Sequence, residues 1–568
     1  MQSRKHTYHL HFLSGNSVKS LFFGQTTVMI LATMALMLIE GFGIFFNGAY
    51  FLGPLTLGVV GSWLIFAAVA LLGPDAFLKQ SKWAGLAAAL LAAFWLWTGI
   101  SITWSISAEL TWNEFNRTGG YLAVFLIGLA VARHPRVRNF AAGLFLAVAA
   151  AAIFYSLGPK LFPASVDNLD DLARISIPIG YANAQGLLAA LAFMPAVFFA
   201  ARKGTHLVFR LLAAAGAPVI LVALFFTISR GATLAIAIGL VAYFILSPLR
   251  LRSAAVIALA GVPAGLICFW SSSQDALMHD KSPLPLRLDA AAPLRLYIVI
   301  AVIAVTLLFA AALAAGKRFS LPPSARRSFG ALVLVAVVLA AVIPAGLFIS
   351  SKPSFGGWIN QTWEDFTTVR GTDAGAGRLL QVNSLVRWNL WGEAISNWKQ
   401  NPLTGSGAQS FPLTHMMSRK DGMPFVKQAH SMPFSLLSEL GAVGFVLMGA
   451  FIWLTLGLGL RNLVRTRDRW QRALAAALTA FLIIYLIHAS FDWDWNMFAL
   501  TLPYFFFAGI LAGWRPAAAI ERARPAVAEG AQAPAGEADE NSLSAGPLAP
   551  AGRRARGKHY RRRGTTAT

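Results

Sequence analysis

Charged residues are scarce in this sequence. Asp, Glu, Lys and Arg together make up 12% of its 568 residues, and hydrophobic residues make up 57%. A soluble globular protein carries about 25% charged residues, so most of this chain cannot face water. The single cysteine, Cys268, excludes an internal disulfide and a thiolate zinc site, and we expect it to be buried and inert. These shortages exclude soluble enzymes, nucleic-acid-binding domains and secreted disulfide-stabilised proteins.

Hydrophobic runs of roughly 20 residues recur along the chain, and each is long enough to cross the hydrocarbon core of a bilayer as a helix. The sequence therefore predicts an all-α, polytopic integral membrane protein with about 14 transmembrane helices. The predicted spans lie near 27–46, 51–73, 83–100, 119–132, 139–157, 180–200, 207–228, 231–248, 253–271, 293–315, 329–350, 431–459, 473–491 and 496–514. We expect residues 1–26 to be an N-terminal segment and residues 27–514 to form one transmembrane domain.

The net charge of +23 follows the pattern of membrane topology rather than that of nucleic-acid binding. One set of alternating short loops holds about 18 Lys and Arg residues, and the other holds about six. Positively charged short loops stay in the cytoplasm, so we expect both termini to be cytoplasmic. Residues 515–568 are rich in Ala, Pro, Gly and Glu. They predict a disordered tail whose basic end contacts anionic inner-leaflet lipid.

Loop 351–429, roughly 80 residues long, is the longest segment on the predicted extracytoplasmic face. Loops of this length without a domain of their own are usually functional. Its apolar side chains at three- and four-residue steps predict an amphipathic helix in the membrane interface; they are Leu385, Trp388, Trp391, Ile395 and Trp398. This helix either serves only as an anchor or holds Arg387 close to the bilayer surface.

Ionisable residues are rare inside the predicted spans and collect on their outer rim, which argues against a charge-coupled transporter. The polar residues of the rim are Arg174, Arg230, Arg378, Arg387, His430, Asp492 and Asp494. No zinc-ligand cluster, Walker loop or acidic metal motif accompanies them. We therefore expect chemistry based on arginine and histidine, without metal or cofactor. The two aspartates are candidates for orienting a sugar hydroxyl or an arginine.

Two rim residues occupy defined positions. Arg230 lies in a two-span hairpin with almost no loop, so its guanidinium reaches the outer membrane–water boundary. There it either contacts lipid headgroups or binds pyrophosphate oxygens in bidentate fashion. His430 precedes Ser431 and Pro433, which are typical of a helix N-terminus. An imidazole in that position can exchange a proton beside a bound anion, or it makes only an interfacial hydrogen bond.

Five stretches resemble, in order, motifs of the O-antigen ligase and polymerase superfamily of bacterial membrane glycosyltransferases. They are Arg174 to Ala184 with Pro178, Gly180, Tyr181 and Asn183; Ser229-Arg230-Gly231; Arg387 and Trp391 leading to Asn401-Pro402 and Gly405-Ser406-Gly407; His430-Ser431 followed by Gly441-Ala442-Val443-Gly444; and Asp492-Trp493-Asp494-Trp495. Trp104-Ser105 is also typical, and the resemblance covers roughly residues 95–514.

The resemblance implies a metal-independent, inverting glycosyltransferase with a GT-C-like fold, acting in surface polysaccharide biosynthesis at the inner or plasma membrane. Its donor would be a glycan on undecaprenyl pyrophosphate, and its acceptor a lipid or a glycan. By resemblance, Arg230 and Arg387 neutralise the pyrophosphate, and His430 acts as a base on the acceptor hydroxyl or as a hydrogen-bonding group on the donor. The implied substrate-binding residues are Arg174, Asn183, Arg378, Asp492 and Asp494. Membrane lipids are the expected surroundings, and no nucleic acid is expected as a partner.

Two features favour the superfamily as a whole over its lipopolysaccharide ligases. Phe445 follows the Gly-x-x-Gly pair where ligases carry Ser or Thr, and Arg387 is followed by Trp391 where ligases carry leucine. A polymerase is therefore an alternative to a ligase, and a polysaccharide flippase, another transporter or a non-catalytic scaffold are alternatives of other classes. Convergence of Arg230, Arg387 and His430 within about 10 Å favours a transferase, whereas a polar tunnel reaching both faces favours transport.

Overall fold

The computed structural model describes residues 24–78, 80–166, 173–318, 322–350, 360, 364, 385–419 and 425–515. Its described part contains 19 α-helices and no β-strand, which confirms the all-α prediction. The predicted N-terminal segment up to residue 23, the tail from residue 516 onward and Arg378 lie outside the described residues.

The helices are listed in chain order. They are α1 Gln25–Phe45, α2 Leu52–Leu72, α3 Asp75–Leu78, α4 Lys82–Ile100, α5 Ala108–Val131, α6 Pro135–Ser156, α7 Gly158–Leu161, α8 Ala182–Ala201, α9 Leu207–Phe226, α10 Arg230–Leu246, α11 Arg250–Ser272, α12 Asp275–Met278, α13 Leu284–Arg318, α14 Pro323–Ser350, α15 Leu385–Gln400, α16 Phe411–Ser418, α17 Met432–Arg465, α18 Arg469–Ala489 and α19 Phe498–Ala512. The described residues also form three short 3-10 helices between them: Asn47–Ala49, Ser101–Thr103 and Asp494–Asn496.

In the described part of the chain, ten helices are long and apolar enough to cross a membrane. They are α1, α2, α4, α6, α8, α9, α11, α13, α17 and α18. The chain is therefore a multi-pass membrane protein. The other four predicted spans fall on α5, α10, α14 and α19, and the total of about 14 remains a prediction.

The bundle is built around α8 and α19, whose residues are buried along almost their whole length. α19 crosses α5 at a pair of glycines. A Cβ atom on Gly509 would lie 2.2 Å from the carbonyl oxygen of Phe125, and one on Gly128 would lie 2.3 Å from that of Phe506. Small residues at such crossings let two helix backbones approach closely. The outer helices expose large apolar side chains, such as Phe269, as a lipid-facing surface requires.

α17 is interrupted near its start. Gly441 has φ +65° and ψ −168°, a conformation that is essentially restricted to glycine. The turn that follows α15 fills the interruption: the amide of Ala442 donates to the carbonyl oxygen of Pro402 at 2.8 Å, and that of Gly407 donates to Glu439 at 2.9 Å. Irregular backbone at membrane depth requires such protein partners.

A helix is confirmed at the predicted position as α15, and it packs on the first turns of α17, whereas its place in the membrane interface stays a prediction. Leu390 and Ala394 are buried, and the ring centroid of Trp391 lies 5.2 Å from that of Phe434. Asn397 of α15 also donates a hydrogen bond to the carbonyl oxygen of Ser438 at 3.1 Å. These contacts fix Arg387, on the first turn of α15, relative to the N-terminus of α17.

Replacing Gly441 by alanine should destabilise the protein. The new Cβ would lie 2.3 Å from the backbone of Leu403, and the backbone conformation itself is unfavourable for alanine, so we expect a loss of about 2–4 kcal/mol in folding free energy. Thermal unfolding in detergent measures it. The matched control is Gly449→Ala on the same helix, where a Cβ meets no atom within 4 Å. Equal thermal unfolding midpoints for the two variants would contradict the requirement for glycine at position 441.

Candidate functional site

Asp492 is the centre of a polar cluster that follows the end of α18. Its side chain is only 2% exposed. It accepts hydrogen bonds from side chains of three other segments: from Arg387 at 2.9 Å, from Asn183 at 2.7 Å, from Tyr181 at 2.9 Å and, with its Nδ1, from His430 at 3.1 Å. One buried carboxylate therefore joins α15, the N-terminus of α8 and the N-terminus of α17.

Arg174 extends the cluster through Asn183. Its Nε donates to the carbonyl oxygen of Thr227 at 2.8 Å, and its Nη2 donates to the side-chain oxygen of Asn183. The amide nitrogen of Asn183 in turn donates to Asp492 and, at 2.8 Å, to the hydroxyl of Tyr181. Five sequence-predicted residues thus form one continuous hydrogen-bonded chain: Arg174, Asn183, Asp492, Arg387 and His430.

A turn before α8 brings Tyr181 and Asn183 to Asp492. Gly180 has φ +81°, and a Cβ there would lie 2.7 Å from the side-chain oxygen of Asn47, so the position favours glycine in both conformation and space. Tyr181 follows with extended backbone as the N-cap residue of α8. The Ile177–Pro178 peptide bond in the same turn is cis.

His430 immediately precedes α17, as the sequence predicted. Its backbone is left-handed, with φ +52°, and Pro433 lies in the first turn of the helix. Ser431 is the N-cap residue, but its hydroxyl makes no capping hydrogen bond. The side chain of His430 is 20% exposed, and that of Arg387 is 24% exposed. Both therefore border the surface while Asp492 is enclosed.

The charge balance of the cluster keeps Asp492 ionised. Burial by itself raises the pKa of a carboxyl group, but Arg387 and His430 outweigh burial and hold the pKa of Asp492 well below its ordinary value. In turn, burial lowers the pKa of Arg387, and Asp492 more than offsets this, so the net shift is upward. A carboxylate with so low a pKa is a poor proton acceptor. Its suitable role is to hold Arg387 and His430, together with the other side chains that hydrogen-bond to it.

Asp494 lies apart from the chain of bonds around Asp492. It begins a 3-10 turn and is 1% exposed. Its carboxylate contacts Nδ1 of His488 on the last turn of α18. Burial raises the pKa of Asp494 although His488 opposes the shift. Asp494 therefore makes no direct contact with the cluster around Asp492. Its predicted role in substrate binding stays a prediction.

Arg230 begins α10, as the tight hairpin predicted. Ser229 caps the helix by accepting a hydrogen bond from the amide of Ala232. The next residue, Gly231, lies against His488, since a Cβ on Gly231 would be 3.2 Å from the His488 ring. The N-terminus of α10 thus lies at the end of α18 from which Asp492 follows.

Aromatic residues that were not among the predicted site residues line one side of the cluster. The ring of Trp493 lies 4.9 Å from Tyr181, 5.2 Å from Tyr50 and 6.4 Å from His430, measured between centroids. Gln428 donates to the hydroxyl of Tyr50 at 2.9 Å. The sequence signal for Tyr181 and Trp493 was their position inside two of the motifs. The only sequence feature that pointed to His488 was its position as a polar residue near the end of an apolar span.

Residues 295–449 match the protein-family model described as O-Antigen ligase. The matched segment runs from α13 into α17 and contains Arg387 and His430, whereas Asp492 lies beyond it. None of the curated proteins matches the chain significantly. In the described ranges, no three His, Cys, Asp or Glu residues come together in a way that could hold a metal ion.

Proposed function

Because the chain belongs to the O-antigen ligase superfamily, we propose that it is a metal-independent, inverting glycosyltransferase. It takes a glycan from undecaprenyl pyrophosphate at the extracytoplasmic face and transfers it to a lipid or glycan acceptor. The observation that carries this proposal is the carboxylate of Asp492, which holds a candidate base, His430, and a candidate phosphate-binding cation, Arg387, in a single cluster.

In the proposed reaction the acceptor hydroxyl oxygen attacks the anomeric carbon of the donor sugar. The bond between that carbon and the pyrophosphate oxygen breaks, and undecaprenyl pyrophosphate leaves with the electron pair. The attacking oxygen approaches from the side opposite the leaving group, so the anomeric configuration inverts. The hydroxyl proton passes to His430.

Asp492 supports the proposed role of His430 by determining which nitrogen of the imidazole carries the proton. Because Asp492 accepts from Nδ1, the neutral imidazole carries its proton on Nδ1 and leaves Nε2 as the proton acceptor. The carboxylate also stabilises the imidazolium that forms when Nε2 is protonated. General-base assistance of this kind contributes about 10²- to 10⁴-fold to a rate.

Arg387 supports the departure of the pyrophosphate. A guanidinium has five N–H donors in a planar fork, so its bond to Asp492 uses only part of its capacity. A fixed cation lowers the barrier most where negative charge develops, which here is the leaving pyrophosphate. In this proposal Arg230 acts as a second cation on the pyrophosphate. Arg174 and Asn183 position the donor, and Arg378 remains a candidate helper.

Replacing Arg387 by lysine should lower turnover by about 10- to 100-fold, because lysine keeps the charge but loses the planar fork that binds phosphate oxygens. Arg387→Ala should lose more. The control is Arg419→Lys, a surface arginine of the same loop. Initial rates in proteoliposomes measure the effect, and Arg387→Ala with the rate of the wild-type protein would remove Arg387 from the proposal.

The proposal is tested with the purified full-length protein in liposomes that contain a lipid-pyrophosphate-linked oligosaccharide from the host. Release of free undecaprenyl pyrophosphate is followed with and without acceptor, in the presence of EDTA. Acceptor-dependent release that survives EDTA and is lost in folded His430→Ala and Arg230→Ala proteins is the expected result. Extension of the glycan would identify a polymerase, and attachment to a lipid a ligase. Movement of the donor between leaflets without release would instead identify a transporter.

A further inference from the structure

A second cluster of arginines lies at the opposite end of the bundle from Asp492. α18 starts at Arg469 and ends at Ala489, three residues before Asp492. Its 21 residues span about 30 Å along the axis. The described residues that line a cavity of about 420 Å³ at this end are Ser247, Pro248, Leu249, Arg250, Leu251, Arg252, Arg327, Gly330 and Arg469.

Four arginines from three helices therefore line one cavity. Arg250 and Arg252 come from α11, Arg327 from α14 and Arg469 from α18. No acidic residue appears among the described residues of the lining. Concentrating cations costs energy through repulsion, so such a cavity favours an anionic occupant.

Local structure fixes two of the four arginines. Arg250 donates from Nε to the carbonyl oxygen of Phe244 at 2.6 Å and from Nη2 to that of Ile245 at 2.8 Å. Arg469 donates to the carbonyl oxygen of Pro248 at 3.2 Å. Arg250 is thus held at the last turn of α10, and Arg469 at the segment that follows it.

Exposed apolar side chains lie next to the lining residues on α14 and at the end of α10. Phe329 is 49% exposed and Leu332 is 61% exposed, and both lie on α14 next to the lining residues Arg327 and Gly330. Ile245, at the end of α10, is 52% exposed. Arginines and exposed apolar side chains thus lie close together in the chain. This combination suits an anion that also carries hydrocarbon chains.

We propose that this arginine pocket binds the phosphate headgroup of an anionic membrane lipid, with its acyl chains against α10 and α14. Guanidinium groups bind phosphate oxygens in bidentate fashion, and basic pockets between transmembrane helices are known to hold such headgroups. On the predicted topology the lipid belongs to the inner leaflet. The proposal is independent of the glycosyltransferase function, because it concerns the other face of the protein and needs no turnover to be tested.

The test uses the full chain in nanodiscs of phosphatidylcholine to which phosphatidylglycerol or cardiolipin is added, with lipid retention measured by native mass spectrometry. The variant is Arg327→Gln/Arg469→Gln. The matched control is Arg461→Gln/Arg465→Gln, which removes two exposed charges from the same end of the bundle without touching the pocket. We expect the pocket variant to lose retention of the anionic lipid by about tenfold or more, and the control by less than about twofold.

Three results would overturn the proposal. Equal loss in both variants would mean that diffuse surface charge attracts the lipid, and no preference over phosphatidylcholine would mean that nothing specific binds. Displacement of the lipid by millimolar inorganic phosphate or pyrophosphate, with binding of that ion alone, would identify a free-anion site instead. Should the glutamine pair fail to fold, Arg327→Lys/Arg469→Lys keeps the charge. Because lysine lacks the planar fork, it should still weaken retention, and unchanged retention would again count against the pocket.

Discussion

Replacing Asp492 by asparagine is expected to lower turnover by about 10³- to 10⁴-fold while the protein stays folded. The carboxylate accepts from Arg387, His430, Tyr181 and Asn183. An asparagine offers one acceptor oxygen and an amide that donates. It therefore cannot satisfy four donors, and its amide favours the wrong tautomer of His430.

The matched control for this variant is Asp468→Asn. Asp468 caps α18 at its other end by accepting from the amide of Gln471 at 2.6 Å, so the same chemical change is made far from the cluster. Asparagine caps a helix about as well as aspartate, so this variant should keep the stability of the wild type and leave turnover within about threefold of it. Comparing the thermal unfolding midpoints of the two variants separates a loss of folded protein from a loss of activity in the folded protein. An Asp492→Asn protein as active as the control would contradict the central role of the carboxylate.

Replacing His430 by glutamine should lower turnover by about 10²- to 10⁴-fold. Glutamine is polar and of similar size, so it fills the space beside Trp493, but it cannot accept a proton at neutral pH. If His430 acts only in the chemical step, KM for the donor should change little while kcat falls.

The control for His430 is His279→Gln. His279 pairs with Asp275 at 3.4 Å across the short helix α12, and both side chains are exposed, so it tests the effect of removing a histidine–carboxylate contact elsewhere. Initial rates over a range of donor concentrations give both kcat and KM for the donor. A rise in KM at unchanged kcat would assign His430 to donor binding rather than to proton transfer.

Much of the fold and part of the site could be predicted from the sequence because both depend on local signals. Hydropathy indicated the long helices, and three- and four-residue spacing indicated α15. Arg174, Arg387, His430 and Asp492 were singled out as polar residues of the outer rim, and Asn183 by the family resemblance. These five residues are joined by hydrogen bonds.

The parts that the sequence did not predict depend on non-local packing. Asp492 and Asp494 looked equivalent, but the 3-10 turn at Asp494 directs one carboxylate into the cluster and the other to His488. The interruption of α17 at Gly441 lies inside a single predicted span, 431–459, so hydropathy could not reveal it. Its position depends on the turn after α15, which approaches from more than 30 residues away in the chain.

The most direct test of the account is a double-mutant cycle on the transfer reaction, with Asp492→Asn, His430→Gln and the double variant compared with wild type in the same proteoliposomes. Groups that act as one unit give strongly non-additive effects. The account predicts that the double variant releases undecaprenyl pyrophosphate no more than about threefold more slowly than the slower single variant. Effects that multiply would show that Asp492 and His430 act separately, and would contradict the proposal that the carboxylate works through the histidine.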